Sequence, residues 1–148
     1  MVIKWKIKRF DELSNSELYS VLKLRNEVFI VEQNCVYQDI DGKDEKALHL
    51  LGFYDGAIVA YARVFKSGDY FENAAIGRVV VAKKYRNKKW GHAIISGSIA
   101  VIQDYFGETK ITISAQLHLK TFYEQNDFTQ TSEPYLEDGI PHIEMRRD

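Results

Sequence analysis

The chain of 148 residues is 45% hydrophobic and 13% aromatic, and its formal net charge is −1. This length and composition predict one domain, residues 1–148, with a substantial core, and the near-neutral charge argues against a general nucleic-acid-binding protein. Lysines alternate with apolar residues in the N-terminal segment VIKWKIKRF, and Cys35 is the only cysteine. We therefore expect no signal peptide, membrane span or internal disulfide, and a cytoplasmic location.

The first half of the chain predicts a strand, a helix and a hairpin. Apolar residues alternate with lysines from Ile3 to Ile7, which is typical of a strand with one solvated face. Ser14 and Glu17 have the spacing of a capping box at the start of a helix. A loop is expected over residues 34–46, and HLLGFYDGAIVAYARVF predicts a hairpin that turns at Asp55–Gly56. The inner face of the helix is predicted to carry Leu18, Leu22, Arg25, Phe29 and Glu32.

The second half alternates strands and helices. AAIGRVVVA predicts a strand, and a helix with an apolar face from Ile95 to Phe106 follows. KITISA predicts a strand, HLKTFYEQN a short helix, and FTQTS and PHIEMRR two more strands. The fold class is therefore α/β (α+β), with a mixed, mostly antiparallel central sheet of about seven strands flanked by helices. VVVA and KITISA are expected to be parallel neighbours on either side of a right-handed crossover.

A basic stretch, KKYRNKKWGHA, lies where the long helix begins. Five cationic side chains fall within the seven residues 83–89. The amino end of a helix carries partial positive charge and unpaired N–H groups, so cations there are unfavourable unless an anion binds. A solvated charge run is the simpler alternative, but its position at the carboxyl end of a strand favours a ligand site.

The order of elements and the segments VVVAKKYRNKKWGHA and TFYEQNDF resemble the GNAT superfamily of acyl-CoA-dependent N-acyltransferases over essentially the whole chain. LRNEVFIVEQNCVYQDIDGKDEKALHL and YLEDGIPHIEM resemble its ElaA-like branch more narrowly. The resemblance implies splayed central parallel strands and a loop, R/Q-x-x-G-x-G/A, whose N–H groups hold the pyrophosphate of coenzyme A. Arg86 and Gly91 fit this pattern, whereas Lys89 replaces its first glycine. The implied coenzyme A contacts are Val79, Val80, Val81, Arg86, Asn87, Lys88, Lys89, Trp90, Gly91 and His92.

The activity that this resemblance implies is direct transfer of an acetyl group from acetyl-CoA to a primary amine, without a metal. Backbone N–H groups near Val81 would stabilise the thioester oxygen, and Tyr123 would protonate the leaving thiolate. Asp127 replaces the glycine of the family's F-Y-x-x-x-G-F pattern. Tyr123 follows Leu119 by one helical turn, so a purely structural core tyrosine is the alternative.

The base that accepts the amine proton is less clearly marked. A carboxylate such as Glu32 on an apolar helix face must be ion-paired or have a raised pKa, so it is a candidate base or a structural partner of an arginine. Arg63 and Arg78 lie in apolar strands and require carboxylates, which QDIDGKDE offers. The histidines match no compact zinc motif, so no metal site is expected. The predicted acceptor-binding residues are Arg25, Glu32, Gln33, Asp41, His49, Arg63 and His142.

Two other functions are compatible with the residues. The pattern Arg25-x-x-x-Phe29, Asp41-x-x-Asp44 and Arg63 resembles the LuxI-type acyl-homoserine lactone synthases, although the chain is short for that family. The third possibility is a non-catalytic domain that binds acyl-CoA. The acceptor amine, small molecule or peptide, is not identified by the sequence, and exposed sheet edges leave a homodimer open.

Overall fold

The structure, a computed structural model, describes residues 2–148. Eight strands form one sheet in the order β1-β2-β3-β4-β5-β8-β6, and β7 also pairs with β8. Only β4 and β5 are paired in parallel, which confirms the predicted mixed, mostly antiparallel sheet. The strands are β1 (Lys4–Arg9), β2 (Leu48–Tyr54), β3 (Ala57–Phe65), β4 (Ala74–Val81), β5 (Ile111–Gln116), β6 (Thr129–Gln130), β7 (Tyr135–Glu137) and β8 (Ile140–Arg147).

Three α-helices accompany the sheet: α1 (Asn15–Arg25), α2 (Trp90–Phe106) and α3 (Lys120–Glu124). The capping box at the start of α1 is confirmed, since Ser14 Oγ accepts a hydrogen bond from the backbone N–H of Glu17 at 3.0 Å and Glu17 Oε1 accepts one from the N–H of Ser14 at 2.9 Å. The hairpin at Asp55–Gly56 is also confirmed. No helix within residues 2–148 is long and apolar enough to cross a membrane.

The helix that begins at α1 continues as a π-helix over Asn26–Glu32, which the sequence did not predict. Its buried face carries Val21, Leu24, Arg25 and Val28, whereas Glu32 is exposed. The predicted inner face is therefore confirmed at Arg25, which is buried, and at Phe29, which packs against this core, and it was wrong at Glu32. Two apolar sets with helical spacing overlap in this segment, and spacing alone could not select the one that packs on the sheet. Widened turns of this kind recur at functional sites.

The sheet is covered on both faces. α2 packs Ile94, Ile95 and Ile102 into a core with Ala62 and other residues of β2, β3, β5 and β8. On the opposite face, α1 and the π-helix pack on Leu51, Tyr61 and Val80. Successive residues of a strand, such as Tyr61 and Ala62, therefore pack on opposite faces of the sheet, as expected when both faces are covered.

β4 departs from regular pairing at its centre, and this irregularity opens the sheet. Tyr61 pairs with Val80 and Arg63 with Gly77, so β4 has two residues where β3 has one. At this bulge Arg78 has a positive φ of 51°. Pairing of β4 with β5 is confined to residues 74–75 and 111–112. Because bulges bend a strand and increase its twist, β4 and β5 separate toward their carboxyl ends, as the family resemblance implied.

Candidate active site

A cavity of about 580 Å³ lies where β4 and β5 separate. β4 contributes residues 76–81 and β5 contributes Ile113, Ser114 and Gln116. The π-helix contributes Phe29 and Glu32, and the remaining wall comes from the segment around α3 and from β7 and β8. Among the predicted site residues, the cavity wall includes Val79, Val80, Val81, Arg86, Tyr123, Glu32, Gln33 and His142.

The backbone of β4 presents unpaired polar groups to this cavity. The N–H of Ala82 donates to Val59 O of β3 at 2.8 Å, and Val80 pairs with Tyr61. In an antiparallel ladder, alternate residues direct both backbone groups to the same neighbour, so Val79 and Val81 direct theirs to the opposite side. On that side β5 has moved away, which leaves the N–H of Val81 available to a ligand.

The basic loop ends in an uncapped helix start. Residues Lys83–Lys88 form a 3₁₀-helix, and α2 begins at Trp90 with no side-chain cap and no acidic residue in its first turn. Lys89, between the two, has φ 60° and ψ 23°, the left-handed conformation that glycine favours. Lys89 therefore keeps the backbone shape of a glycine position. The free N–H groups of the first turn and the surrounding cations form an anion-binding arrangement.

Aromatic packing holds this loop in place. The rings of Tyr54, Tyr85 and Trp90 lie with centroids 5.1–5.5 Å apart. A Cβ added to Gly91 would come within 3.3 Å of the Phe122 ring, so this glycine permits close packing of α2 against α3. The ring of His92 also packs on Phe122, at 4.7 Å between centroids. The side chains of Trp90 and His92 therefore position the loop.

Tyr123 on α3 belongs both to the core and to the cavity wall. Burial raises the pKa of its hydroxyl to about 12, and no partner among the described residues contributes to that shift. The group therefore stays protonated at neutral pH, as a proton donor requires. Its packing against Phe122 and Phe128 fixes the ring direction, so the two interpretations made from the sequence are compatible.

Glu32 is ion-paired with Arg86. Both carboxylate oxygens accept hydrogen bonds from the guanidinium, one of them at 2.8 Å from Nη2, and Arg86 Nε donates to Val81 O at 3.2 Å. The hydrogen bond from Arg86 lowers the pKa of the Glu32 carboxyl. Of the two roles considered for Glu32, proton acceptor or ion-pair partner of an arginine, the structure shows the ion pair, and the arginine is Arg86. A carboxylate in this state is a weak proton acceptor.

A buried ion-pair network lies behind the cavity wall and reaches it at Arg78. Arg25 Nε is 2.9 Å from Asp39 Oδ2, and Asp44 Oδ1 lies 2.8 Å from Arg25 Nη1 and 2.9 Å from Arg63 Nη1. Other pairs are Arg63 with Asp41 at 2.6 Å and Arg78 with Asp39 at 2.7 Å. The prediction that buried arginines find carboxylates in the 39–45 loop is confirmed.

This network corrects part of the predicted acceptor site. Arg25, Asp41 and Arg63 are committed to ion pairs, and none of them lies on the cavity wall. His49 is also away from the wall, because its Nε2 is 2.9 Å from Asp44 O and its Nδ1 is 2.6 Å from the Tyr61 hydroxyl. A sequence reveals that these residues are polar among apolar neighbours, but it does not reveal which face of β3 opens to the cavity.

The wall formed by β5, β7 and β8 carries a polar cluster of which only His142 was predicted from the sequence. Ser114 Oγ donates to Glu137 Oε1 at 3.1 Å and lies 2.5 Å from the Tyr135 hydroxyl. Glu137 Oε2 is 3.4 Å from His142 Nε2. The Asp138–Gly139 dipeptide is a hairpin signal that would have placed residues 137 and 142 close together. We name Ser114, Tyr135, Glu137 and His142 the β7–β8 cluster.

The remaining residues of interest are the potential metal ligands and the single cysteine. Within residues 2–148 no group of three His, Cys, Asp or Glu side chains is arranged to hold a metal ion. Cys35 is buried, and its Sγ lies 3.3 Å from Asp138 O, so it connects the segment after the π-helix to the β7–β8 turn.

Comparisons with known proteins agree with this geometry. Residues 12–148 match the family model described as an acetyltransferase (GNAT) domain. Protein ElaA of Escherichia coli K12 is 43% identical over 149 residues, covering 99% of this chain and 97% of ElaA. The crystal structure of an acyl-CoA N-acyltransferase from Pseudomonas aeruginosa has a TM-score of 0.94 at 38% identity, over 99% of this chain and 100% of that one.

The AHL synthase LasI shares only the fold, with a TM-score of 0.76 at 13% identity over 98% of this chain and 89% of that one. The splayed strands, the uncapped basic helix start and these relatives lead to one assignment. The chain belongs to the GNAT acetyltransferase family and resembles its ElaA members over nearly its whole length.

Proposed function

We propose that this GNAT protein is an N-acetyltransferase that moves an acetyl group from acetyl-CoA to a primary amine by direct attack in a ternary complex. The observation that carries this proposal is the free N–H side of Val81 beside an uncapped, basic helix start, both at the opening between β4 and β5. A thioester, a diphosphate and an amine would each find a suitable surface there.

Coenzyme A would be held by two kinds of contact. The backbone groups of Val79 and the N–H of Val81 would form hydrogen bonds with the amide-containing arm of the cosubstrate, in the way that an added strand would, whereas Val81 O already accepts from Arg86. The N–H groups at the start of α2, residues 89–92, offer donors for the pyrophosphate. Lys88 and Lys89 are exposed at this end and add positive charge without blocking it. The residues present therefore fit coenzyme A.

The transfer needs no covalent enzyme intermediate. The neutral amine attacks the thioester carbon, and the C–S bond breaks as the C–N bond forms. The N–H of Val81 would donate to the carbonyl oxygen as negative charge develops on it. Tyr123 would give its proton to the departing sulfur, since a hydroxyl with a pKa of about 12 is protonated at neutral pH.

Binding of the cosubstrate is tested by thermal denaturation with coenzyme A and with dephospho- and truncated pantetheine forms. We expect full-length coenzyme A to raise the melting temperature most, because a ligand stabilises only the state that holds it. No shift at millimolar concentration would contradict the proposal. Gly91→Ala is not a suitable test of coenzyme A binding, because the added Cβ would press on the Phe122 ring and disturb the packing of α2 on α3 directly.

The other functions that the sequence left open make different predictions for the same sample. A non-catalytic acyl-CoA-binding domain would show the thermal shift but no turnover with any amine. A LuxI-type activity rested on Arg25, Asp41, Asp44 and Arg63, and these residues are occupied by the buried ion-pair network. We propose a cytoplasmic, metal-free enzyme without nucleic-acid or membrane partners, and homodimerisation remains to be tested by solution mass measurement.

A further inference from the structure

We propose that the β7–β8 cluster binds the acceptor as a cationic amine and that Glu137 accepts the proton that the amine loses before it attacks. This inference rests on the proposed function and names a substrate class and a proton acceptor for it. Three of the four cluster residues, Ser114, Glu137 and His142, lie on the wall of the same cavity as Tyr123 and Val81.

Glu137 Oε2 has one neighbour within the cluster, the ring of His142. His142 Nδ1 is 2.7 Å from Ile140 O, and since a carbonyl only accepts, Nδ1 carries the hydrogen. Nε2 faces Glu137 Oε2 at 3.4 Å, so it donates to that oxygen when the ring is protonated and is a second acceptor when the ring is neutral. In the neutral state a donor must lie between or beside the two atoms, and water supplies it in the absence of a ligand because 46% of the Glu137 side chain is exposed. An ammonium group has three N–H donors and can serve both.

The other side of Glu137 is supported by a chain of donors. Ser114 uses its only hydroxyl proton toward Glu137 Oε1, so the 2.5 Å contact with Tyr135 is donated by the tyrosine. These two hydroxyls fix the position of the carboxylate and leave Oε2 for a ligand. His142 is buried and held by Ile140, so its ring direction is also fixed.

The charges around the cavity favour a cation at this wall. The cationic wall residues Arg86 and Arg78 are already neutralised, by Glu32 and Asp39 respectively. Within residues 2–148, Glu137 has no lysine or arginine within ion-pair distance. Its ion-pair neighbour among these residues is His142, so while that ring is neutral the charge remains for a ligand. Glu137 is in this respect the opposite of Glu32, whose two oxygens are both engaged by Arg86.

The protons in this reaction balance without another reagent. The ammonium form gives one proton to Glu137, which releases it to solvent through the cavity mouth. The neutral amine then attacks, Tyr123 gives its proton to the thiolate, and the nitrogen loses its second proton to restore the tyrosine. The products are the acetylated amine, the free thiol of coenzyme A and one proton.

The test compares Glu137→Gln with the control Glu133→Gln, an exposed carboxylate two residues before β7. Each variant is assayed with a strongly basic alkylamine, which is protonated at neutral pH, and with hydroxylamine, which is not. We expect Glu137→Gln to lower kcat/KM for the alkylamine by about 100-fold, the lower range for a positioned base. The loss with hydroxylamine should be at least about tenfold smaller, and the control should stay within about twofold of the parent for both.

Stabilisation by acetyl-CoA is measured on the same samples and should be equal in all three proteins. Equal losses with both amines would overturn the proposal, because a structural defect does not distinguish them. A Glu137→Gln enzyme that matches the control would overturn it while leaving the acetyltransferase intact. If the parent acetylates neither amine, the proposed function fails and this inference fails with it. Should Glu137→Gln unfold, Glu137→Asp, which keeps the charge, must retain the preference for the alkylamine or the proposal is wrong.

Discussion

Replacing Lys89 by glycine is expected to stabilise the protein, although it removes a side chain and a charge. Lys89 has φ 60°, and a left-handed conformation costs a non-glycine residue roughly 1–2 kcal/mol. Glycine avoids that strain but gives the unfolded chain more freedom, which offsets about 0.4–1 kcal/mol. The net gain is therefore about 0.5–1 kcal/mol. For a protein of this size, this corresponds to a rise in melting temperature of about 1–4 °C.

The matched control is Lys88→Gly, one residue earlier in the 3₁₀-helix and at negative φ. It has no strain to relieve, so the same substitution should lower the melting temperature. Thermal denaturation of both variants and of the parent provides the comparison. Coenzyme A affinity of Lys89→Gly should stay within about tenfold of the parent, the scale of one exposed charge. Equal destabilisation by the two substitutions would refute the conformational account of Lys89.

Three further outcomes are expected. Tyr123→Phe should lower kcat with a good amine by about 100-fold and leave coenzyme A affinity unchanged, and normal turnover would exclude its acid role. Asp44→Asn should lower the free energy of unfolding in urea by about 3–5 kcal/mol because it leaves two buried arginines short of a carboxylate, whereas Glu45→Gln should change it by less than about 0.5 kcal/mol. Burial raises the pKa of Asp44, but its hydrogen bonds and ion pairs with the two arginines lower it overall. The stabilisation by this carboxylate is therefore present above the unfolded pKa of about 3.9 and is lost as pH falls through the lower folded pKa. The Asn variant and the parent should therefore converge in strong acid, and a gap that persisted there would count against the ion-pair origin. Glu32→Gln should weaken the hold on Arg86 and change coenzyme A affinity more than the amine KM, and the reverse pattern would restore Glu32 as a base candidate.

Much of the fold could be predicted from local sequence signals. Ser14 and Glu17 mark the start of α1, Asp55–Gly56 marks a hairpin, and apolar spacing identifies α2. These features depend on hydrogen bonds and side-chain periods within a few residues, which a sequence reports directly. The need of buried arginines for carboxylates was equally readable, because an unpaired buried charge is very unfavourable.

The acceptor side of the site could not be predicted in the same way. Which residues face the cavity depends on the bulge at Arg78, a non-glycine residue at positive φ that no local pattern marks. The wall also joins segments that are far apart in the chain, as in the hydrogen bond from Gln116 Nε2 to Gln33 Oε1 at 3.2 Å. β7 has only three residues, all of them exposed, so no apolar alternation indicated it. Glu137 therefore escaped notice although it lies on the cavity wall.

The loop that is expected to bind coenzyme A is connected to the helix that borders the acceptor side. Arg86 joins Val81 O to Glu32, the last residue of the π-helix. A phosphate-bearing ligand near this loop would compete with Glu32 for the guanidinium, since both are anions. Binding of such a ligand would therefore act on the contact that holds the end of the π-helix to the loop.

Acetyl transfer to an amine, with Tyr123 as the proton donor, is tested most directly by a mass-spectrometric time course of acetyl-CoA, a basic primary amine and the protein, with Tyr123→Phe in parallel. We expect acetylated amine and free coenzyme A to appear in equal amounts with the parent and about 100-fold more slowly with the variant. Free coenzyme A without acetylated amine, at the same rate in both proteins, would contradict this expectation.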